Sequence, residues 1–411
     1  MAGRTATLPA DRLGPDFHRL WTASAVANLG DGVTLVAAPL LVASLTPDPA
    51  AVAAAAFAPQ LPWLLLALVS GALVDRLDRR RLIVAVNVGR ALVLAALAGA
   101  VLAGVATVPL VCLAFFLTGV GETLADTAAG ALLPSVVPAD RLEQANSRLS
   151  ATFVIGNQFV AKPFGAYLFV VAAALPFGFD AATFGLAALL LALLRWRPAP
   201  PAAPPAPADP RRSLRAEVVE GVRALWAVPV LRTLAGCIAV MNVAFCAAFA
   251  AFVLYARQRL GLAEVGYGLL LTASAVGGLA GSALATRLRS RFGTPALLRA
   301  GLLVEIGLQL VLAGTRQPVV AGAALAVWGG HAMVWGVLVV SLRQRLVPDR
   351  LRGRVTSVYA LADLGGAALG TVAGGVLARA AGSLLAPFWL AAGALTVLTV
   401  LAWRRLGDTA G

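Results

Sequence analysis

The sequence predicts an all-α integral membrane protein whose twelve transmembrane helices form two parallel six-helix repeats. Of the 411 residues, 60% are hydrophobic and 13% are charged, whereas soluble domains average about 45–50% apolar and about 25% charged residues. Apolar stretches of about 20 residues, the length that crosses a bilayer as a helix, recur from Leu20 to Trp403. This composition excludes a soluble enzyme.

The apolar stretches fall into two groups of six, separated by a proline-rich segment. Residues 196–212 contain seven prolines, and such a segment stays extended because it has little to bury and few amide donors. We therefore predict an N-terminal six-helix bundle over 1–195, a Pro/Ala-rich cytoplasmic linker over 196–212 and a C-terminal six-helix bundle over 229–411. The predicted spans are 17–45, 51–74, 82–104, 107–133, 146–170, 174–195, 229–258, 263–287, 295–315, 318–341, 354–378 and 382–404.

An interfacial amphipathic helix is predicted at 213–228, between the linker and the seventh span. Leu214, Val218, Val222 and Leu225 recur at helical spacing, and charged residues occupy the other faces. This pattern is typical of a helix that lies on a membrane surface.

The basic residues follow the predicted topology. A net charge of +14 would suggest nucleic-acid binding in a soluble chain. With a cytoplasmic N-terminus and alternating spans, however, all basic residues face the cytoplasm except Lys162, which lies in a span, and Arg257, Arg259, Arg316 and Arg379. The positive-inside rule produces this bias. It predicts a multi-pass protein of the cytoplasmic membrane with both termini cytoplasmic, and it argues against nucleic-acid binding.

The two halves of the chain match each other at an offset near 210 residues. VPADRLEQANS, from Val137 to Ser147, aligns with VPDRLRGRVTS, from Val347 to Ser357, and both precede the fifth span of their half. GALVDRLDRR after the second span aligns with SALATRLRSR after the eighth. Two parallel six-helix repeats are an architecture of secondary transporters, in which the substrate site lies near the midplane between the repeats.

Several motifs resemble those of the major facilitator superfamily. GALVDRLDRRR is similar to the superfamily signature between the second and third spans. LGDG, GRAL, GETLADTAAGALLPSVVPADRLEQANS and VPDRLRGRVTS resemble the branch that contains macrolide-efflux and enterobactin-exporter proteins. The resemblance implies the major facilitator fold and a cytoplasmic charge network that steadies the outward-open state. It assigns that gating role to Gly71, Asp75, Arg76 and Arg80.

Ionisable residues inside the spans are the candidates for chemistry. The chain has no GxxxxGK[ST] sequence, so energy comes from a gradient rather than from a P-loop in this chain. A charge at the bilayer centre costs at least ~2.5–3.5 kcal/mol, which makes each such residue a functional candidate. The candidates are Asp31, Arg90, Glu122, Asp126, Lys162, Glu305 and Asp363.

We predict that Asp31, Glu122 and Lys162 couple transport to protons. Counted at ~1.5 Å per residue from the cytoplasmic ends, all three lie near the middle of their spans. The alternative is a static ion pair between Glu122 and Lys162. At the 210-residue offset, the partners of the three are uncharged, so we expect the ionisable chemistry to be confined to the N-terminal half.

The remaining ionisable candidates are assigned more local roles. Asp126 and Arg90 lie at similar depth, and we expect them to pair near the cytoplasmic face as part of the gating motif. For Glu305 and Asp363 the default expectation is structural pairing. Glycines four residues apart, Gly366, Gly370 and Gly374, are expected to form a helix-packing surface.

Aromatic residues at helical spacing are the candidates for the substrate cavity. The resemblance implies that spans 1, 4, 7 and 10 line that cavity, and an aromatic wall with a few polar groups suits a bulky amphiphile. Packing in the helix bundle remains an open alternative for each residue. The candidates are Asn242, Phe245, Phe249 and Phe252 in span 7, and Trp328, His331 and Trp335 in span 10.

The functional prediction is a secondary transporter that exports an amphiphilic drug, natural product or siderophore by proton antiport. A proton-coupled importer of a nutrient or metal chelate is the alternative within transport, and a non-transporting membrane sensor or scaffold is the alternative outside it. We predict no enzymatic activity, no cofactor, no metal site and a monomer whose partners are the lipid bilayer, the substrate and protons.

Overall fold

The structure, a computed structural model, describes residues 13–66, 74, 77–194 and 214–407. In that part of the chain the regular structure is helical throughout, with no strand. The fold class predicted from composition is therefore confirmed. The predicted linker, 196–212, lies outside the described residues.

The helices follow the predicted spans closely. In the first half they are α1 (Gly14–Leu45), α2 (Pro49–Phe57), α3 (Gln60–Leu66), α4 (Arg79–Leu102), α5 (Val108–Val136), α6 (Leu142–Phe153), α7 (Ala161–Val171) and α8 (Leu175–Ala192). In the second half they are α9 (Leu214–Ala227), α10 (Pro229–Phe249), α11 (Phe252–Gln258), α12 (Glu264–Gly314), α13 (Pro318–Leu346), α14 (Asp349–Ala380) and α15 (Ala386–Gly407).

Ten of these helical segments, with α6 and α7 as one, are long and apolar enough to cross a membrane. The bent pair of α2 and α3 has the length and composition of one more span, broken at the bend, or of a re-entrant loop. The 51-residue helix α12 is about 77 Å long at ~1.5 Å per residue, more than twice the ~30 Å hydrocarbon core. Gly293 within it has φ 75°, a non-helical angle that divides it into two spans. Counted in this way, the described residues are consistent with twelve spans.

Prolines account for two departures from straight helices. Pro59 follows the end of α2, as expected because proline has no amide hydrogen to continue the helical hydrogen bonds. Pro163 lies in the first turn of α7, directly after a π-helix over Val154–Val160. A π-helical turn is wider than an α-helical turn and changes the face on which the following residues lie.

The chain divides into two compact units. Unit 1 comprises residues 1–37 and 61–204, and unit 2 comprises residues 38–60 and 205–411. The sequence analysis assigned all of 1–195 to one bundle, whereas in the structure 38–60 pack with the second half. The contact between α2 and α14 depends on Gly375 of α14. A Cβ atom at this position would overlap Ala53 and crowd the Pro49 carbonyl, so a larger residue would push the two helices apart.

Each unit has its own hydrophobic core. In unit 1, α4 packs between α5 and α8, and residues such as Phe17, Leu132 and Leu194 are fully enclosed. In unit 2, α10 packs against α14 and α15, and α12 packs against α13 and α15, around Leu302 and Leu395. The two cores hold the polar side chains described below in defined positions.

Small residues allow close helix contact, as predicted. A Cβ atom built on Gly366, Gly370 or Gly374 would lie 2.0–2.6 Å from a backbone oxygen of α10. At Gly277 and Gly281 of α12 it would lie 1.7 and 2.2 Å from backbone oxygens of α13. The backbones are therefore too close for any larger residue, which is how small residues strengthen helix packing in lipid.

The sequence repeat appears as a repeated turn. Val137 ends α5 with a hydrogen bond from its amide to the Leu133 carbonyl at 3.1 Å, and Val347 ends α13 with the same bond to Arg343 at 3.0 Å. Both valines are buried, and each is followed by a proline. The matching motifs thus encode the same local structure in the two units.

Candidate functional site

An ion pair joins α1 and α4 in unit 1. Arg90 of α4 donates from Nη2 to Asp31 Oδ1 of α1 at 2.6 Å, and the Arg90 side chain is 7% exposed. Its guanidinium lies 3.9 Å from the ring centroid of Phe184. Gly121 of α5 makes space for the arginine stem, since a Cβ there would lie 2.7 Å from Arg90 Cγ. The arginine is therefore fixed by packing as well as by charge.

Three further carboxylates surround this ion pair. Glu122 and Asp126 of α5 and Asp180 of α8 each lie close enough to interact electrostatically with both Asp31 and Arg90. Neither Glu122 nor Asp126 forms a hydrogen bond or an ion pair with another described residue. We call these four carboxylates and Arg90 the unit 1 charge cluster. The cluster therefore contains one permanent positive charge, on Arg90, and four carboxyl groups.

The third of these acids, Asp180, is a site that the sequence analysis missed. It is 1% exposed, and its Oδ2 accepts a hydrogen bond from Thr34 Oγ1 at 2.6 Å while Oδ1 accepts one from Thr183 Oγ1 at 3.1 Å. Gly30 of the LGDG motif allows this contact, because a Cβ there would overlap Asp180 Oδ1. An acidic residue inside the apolar run of span 6 was the signal that should have identified it.

Lys162 does not join the cluster as the sequence analysis expected. Its side chain is buried, with the residue 6% exposed, yet it forms no ion pair or hydrogen bond with another described residue. The cation beside Asp31 is Arg90, and the alternative ion pair between Glu122 and Lys162 is not formed. The π-helix before α7 explains the difference, because a depth estimate that assumes a straight α-helix misplaces the face of every residue that follows.

A small cavity adjoins the charge cluster. It has a volume of about 90 Å³, enough for a few water molecules, and is bordered by Asp31, Asn87, Arg90 and Asp126 together with apolar residues of α1, α4 and α5. Asp126 is exposed whereas Arg90 is buried. The cluster thus has an enclosed part and a part that solvent reaches.

Unit 2 contains a second set of buried polar residues. Trp328 Nε1 of α13 donates to Glu305 Oε1 of α12 at 2.9 Å, and His331 Nε2 lies 3.5 Å from the same oxygen. Asn242 of α10 hydrogen-bonds Asp363 of α14. Glu305 and Asp363 are thus both paired with neighbouring side chains, which agrees with the structural pairing expected for them. The expectation that ionisable chemistry is confined to the N-terminal half stays a prediction.

Aromatic rings form a continuous stack beside those groups. Phe245 stacks on Trp328 at 4.0 Å and on Phe249 at 4.1 Å, and Phe249 stacks on Phe252 at 4.2 Å between ring centroids. Of the residues predicted to line a cavity, Phe252 and Trp335 are 2% and 4% exposed and belong to the packed interior. Asn242, Phe245, Phe249 and Trp328 are partly accessible, whereas the His331 side chain is 7% exposed.

Comparison with known proteins places this arrangement in a family. Residues 13–408 match the family model described as "Transmembrane secretion effector", a major facilitator family. The chain belongs to the major facilitator superfamily. This assignment confirms the resemblance noted in the motifs. Proteins of this family are transporters rather than enzymes, and the chain is accordingly a multi-pass membrane transporter of small molecules.

The chain also resembles individual major facilitator proteins. It is 29% identical over 376 residues to the multidrug efflux pump Tap of Mycolicibacterium fortuitum, and the match covers 88% of each chain. Its fold is similar to that of a bacterial homologue of the iron transporter ferroportin, with a TM-score of 0.73, 17% identity and coverage of 96% and 99%. The nucleoside transporter NupG aligns with a TM-score of 0.70, 12% identity and coverage of 96% and 99%. At such identities the structures establish the fold alone.

The gating residues implied by the superfamily resemblance are placed only in part. Gly71, Asp75 and Arg76 lie outside the described residues. Arg80 is described, and its guanidinium donates to the carbonyl oxygens of Leu191 and Ala192 at the end of α8. A cation there satisfies carbonyls that lack helical partners and complements the helix dipole. Arg90 is paired with Asp31, so the pairing expected with Asp126 is not the one that the structure contains.

Proposed function

We propose that this transporter exports an amphiphilic small molecule by proton antiport through alternating access. Three observations support the proposal: the four carboxylates of unit 1 around one guanidinium, the stacked aromatic rings of unit 2, and the similarity to a multidrug efflux pump and to a secretion family. The charge cluster supports the proposed coupling to protons, and the similarity to export proteins supports the proposed direction of transport.

Proton coupling follows from the balance of charge in unit 1. Four ionised carboxylates beside one arginine would leave a large negative charge in a setting where each uncompensated charge is costly. Some of the carboxyls therefore hold protons while the cluster is enclosed. The Arg90 guanidinium is already paired with Asp31, so an ionised Glu122 has no positive partner. A proton bound to Glu122 removes that unpaired charge.

The pairing of Arg90 offers a way to exchange that proton. When Asp31 takes up a proton, its attraction for the guanidinium weakens, and Arg90 becomes available to Glu122. Glu122 then loses its proton because a positive charge stabilises its ionised form. We propose that substrate binding and opening to solvent drive this exchange in alternate halves of the cycle, with Lys162 and the Gly71, Asp75, Arg76 and Arg80 motif as further contributors.

The aromatic stack supports an amphiphilic substrate. Phe245 and Phe249 of α10 and Trp328 of α13 offer flat apolar faces. Polar groups come from Asn242, also on α10, and from Asp363 of α14. Such walls with a few polar groups bind bulky compounds without a fixed pattern of hydrogen bonds. A drug, a natural product or a siderophore meets this description.

The decisive experiment measures proton movement in inverted membrane vesicles with an imposed proton gradient. Macrolides, cationic dyes and siderophores are screened for collapse of the gradient in the wild type, in Glu122→Gln and in Glu264→Gln. We expect collapse in the wild type and in Glu264→Gln, whose acid lies outside the cluster, and at least a tenfold weaker response in Glu122→Gln. A full response in Glu122→Gln would contradict the assignment of Glu122.

Direction is tested separately in intact cells that express the protein. An exporter lowers the cell content of the substrate identified in vesicles, whereas an importer raises it. The same cells test the proposed cytoplasmic termini, because a tag at either end is then digested by protease only after the membrane is opened. The proposed monomer is tested by the mass of the purified protein in nanodiscs.

A further inference from the structure

The carboxyl of Glu305 is the buried acid of unit 2 that the proposed mechanism leaves unused. Glu305 is 3% exposed, and only one of its two oxygens has partners. Those partners are the indole of Trp328, which donates a hydrogen bond at 2.9 Å, and the imidazole of His331, whose Nε2 lies 3.5 Å away without forming a hydrogen bond; both are on α13. The other oxygen, Oε2, is sealed from solvent without a hydrogen bond to any described residue. Such a group is expensive to bury in its ionised form.

On the described helices around Glu305 and His331, no arginine or lysine is paired with the Glu305 carboxyl. Cys246 of α10 lies within electrostatic range of Glu305 and Asp363, and Asp363 of α14 is engaged by Asn242. Tyr359 of α14 lies against Arg343, and Arg299 of α12 donates to the Trp403 carbonyl and stacks on that ring. Between 386 and 402, α15 has no ionisable side chain. The imidazole is therefore the base nearest to the Glu305 carboxyl among the described residues.

Counting protons shows what this pair can do. With one proton shared, the pair is neutral overall, either as a carboxylate with an imidazolium or as a carboxylic acid with a neutral imidazole. Loss of the proton leaves a buried carboxylate without a positive partner, and gain of a second proton leaves an imidazolium without a negative one. The pair therefore keeps one proton while it is enclosed and exchanges that proton with water whenever unit 2 opens around it.

The indole of Trp328 connects this proton to the aromatic stack. Its N–H is bonded to Glu305, while its ring stacks on Phe245 of α10 at 4.0 Å with an interplanar angle of 4°. A carboxylate accepts the N–H bond more strongly than a carboxylic acid does. The position of the proton within the pair thus determines how strongly Trp328, the ring at one end of the stack, is held by its hydrogen bond to Glu305.

We propose that Glu305 and His331 form a second proton-binding site, in unit 2, and that the proton they share controls the position of Trp328. The role of this site in transport rests on the antiport proposed above, whereas proton binding by the pair does not. The site is separate from the unit 1 charge cluster, since its acid, its base and its indole all belong to α12 and α13.

The test uses the fact that the chain has two histidines, His18 and His331. In a full-length His18→Gln variant labelled with nitrogen-15 in its histidine rings, His331 is the only ring signal. We expect the pH dependence of this signal in nanodiscs to report proton binding by the pair. Adding Glu305→Gln, which keeps a hydrogen-bond acceptor for Trp328 but removes the charge, is expected to displace the titration midpoint along the pH scale.

Two further variants make the outcome decisive. Asp363→Asn removes a different acid of unit 2 and should leave the His331 titration where it was, whereas Trp328→Phe keeps an aromatic ring but removes the N–H donor and should displace it. A His331 signal that does not titrate, or that titrates identically with and without Glu305, would overturn the proposal. If Glu305→Gln does not fold, Trp328→Phe carries the same test.

Failure of this site and failure of antiport give different results. If His331 titrates as expected but no substrate collapses the proton gradient, the antiport proposal fails and the second proton site stands. If substrates collapse the gradient with the same pH dependence in the wild type and Glu305→Gln, and His331 titrates independently of Glu305, antiport stands and the second site is rejected.

Discussion

The two units bury acidic side chains in different ways. In unit 1, Asp31 lies beside a permanent cation, Arg90, at 2.6 Å. In unit 2, Glu305 lies beside a base that is charged only when protonated, His331, and beside an uncharged donor, Trp328. The same helix repeat thus supports a charged cluster in one half and a conditionally charged pair in the other.

This difference separates packing from electrostatics. The units share the features that the repeat encodes, such as the turn at Val137 and Val347 and the close backbone contacts of Gly165 with Val33 and of Gly370 with Val243. They differ where a single substitution introduces or removes an ionisable group. Helix packing therefore constrains the backbone in both halves, while the chemistry of each half depends on a few side chains.

The largest expected effect comes from removing the cation of unit 1. Arg90→Met leaves Asp31 without its partner, and breaking one side of a buried ion pair costs about 3–5 kcal/mol. His331→Gln should cost less, because Glu305 keeps the Trp328 bond and is neutral once protonated. Thermal unfolding of the purified proteins in detergent measures both.

A double variant checks that interpretation. Combining Arg90→Met with Asp31→Asn removes both charges, so most of the lost stability should return. Equal losses for Arg90→Met and His331→Gln would contradict the distinction between the two units.

The next effect concerns the packing that the units share. At Gly370 of α14 an added Cβ would lie 2.4 Å from the Val243 oxygen, and at Gly165 of α7 it would lie 2.6 Å from the Val33 oxygen. Alanine at either position should destabilise the protein by about 1–3 kcal/mol, since the helices must separate. Gly236 of α10 has open space around it, and alanine there should stabilise by about 0.5–1 kcal/mol. Thermal unfolding distinguishes the opposite signs.

A smaller effect is expected at the hydroxyl that holds Asp180. Thr34→Val removes the 2.6 Å bond to this carboxyl and should cost about 0.5–1.5 kcal/mol. Thr272→Val is the matched control, because Thr272 bonds only the Gly268 carbonyl of its own helix. If the two variants unfold at the same temperature, the Thr34 bond does not contribute to holding Asp180.

The smallest effect on stability is expected at Lys162. It has no ion-pair partner among the described residues, so Lys162→Met should not lower the unfolding temperature and removes the cost of burying an ammonium group. The vesicle experiment then tests its predicted role in coupling. A lost gradient response in a stable variant would establish that role, and an unchanged response would remove Lys162 from the mechanism.

Much of the candidate site was visible in the sequence, but its pairing was not. Asp31, Arg90, Glu122 and Asp126 stood out because charged residues inside apolar spans are costly. Counting along straight helices placed Lys162 beside them, and the π-helix before α7 made that estimate wrong. Asp180 escaped notice although the same argument applied to it. Glu305 and His331 were each singled out, but their contact depends on how α12 and α13 pack and has no signal in the sequence.

The sequence by itself determined the class of protein, the number and order of the spans, the repeat and the superfamily. These follow from hydrophobicity, from proline and glycine positions and from motifs, all of which act over a few helical turns. Only the tertiary structure decided that Arg90 pairs with Asp31, that Gly30 admits Asp180 and that Glu305 meets His331. Such pairings depend on how far two helices approach and which faces they present, and those quantities are set by the packing of residues far apart in the chain.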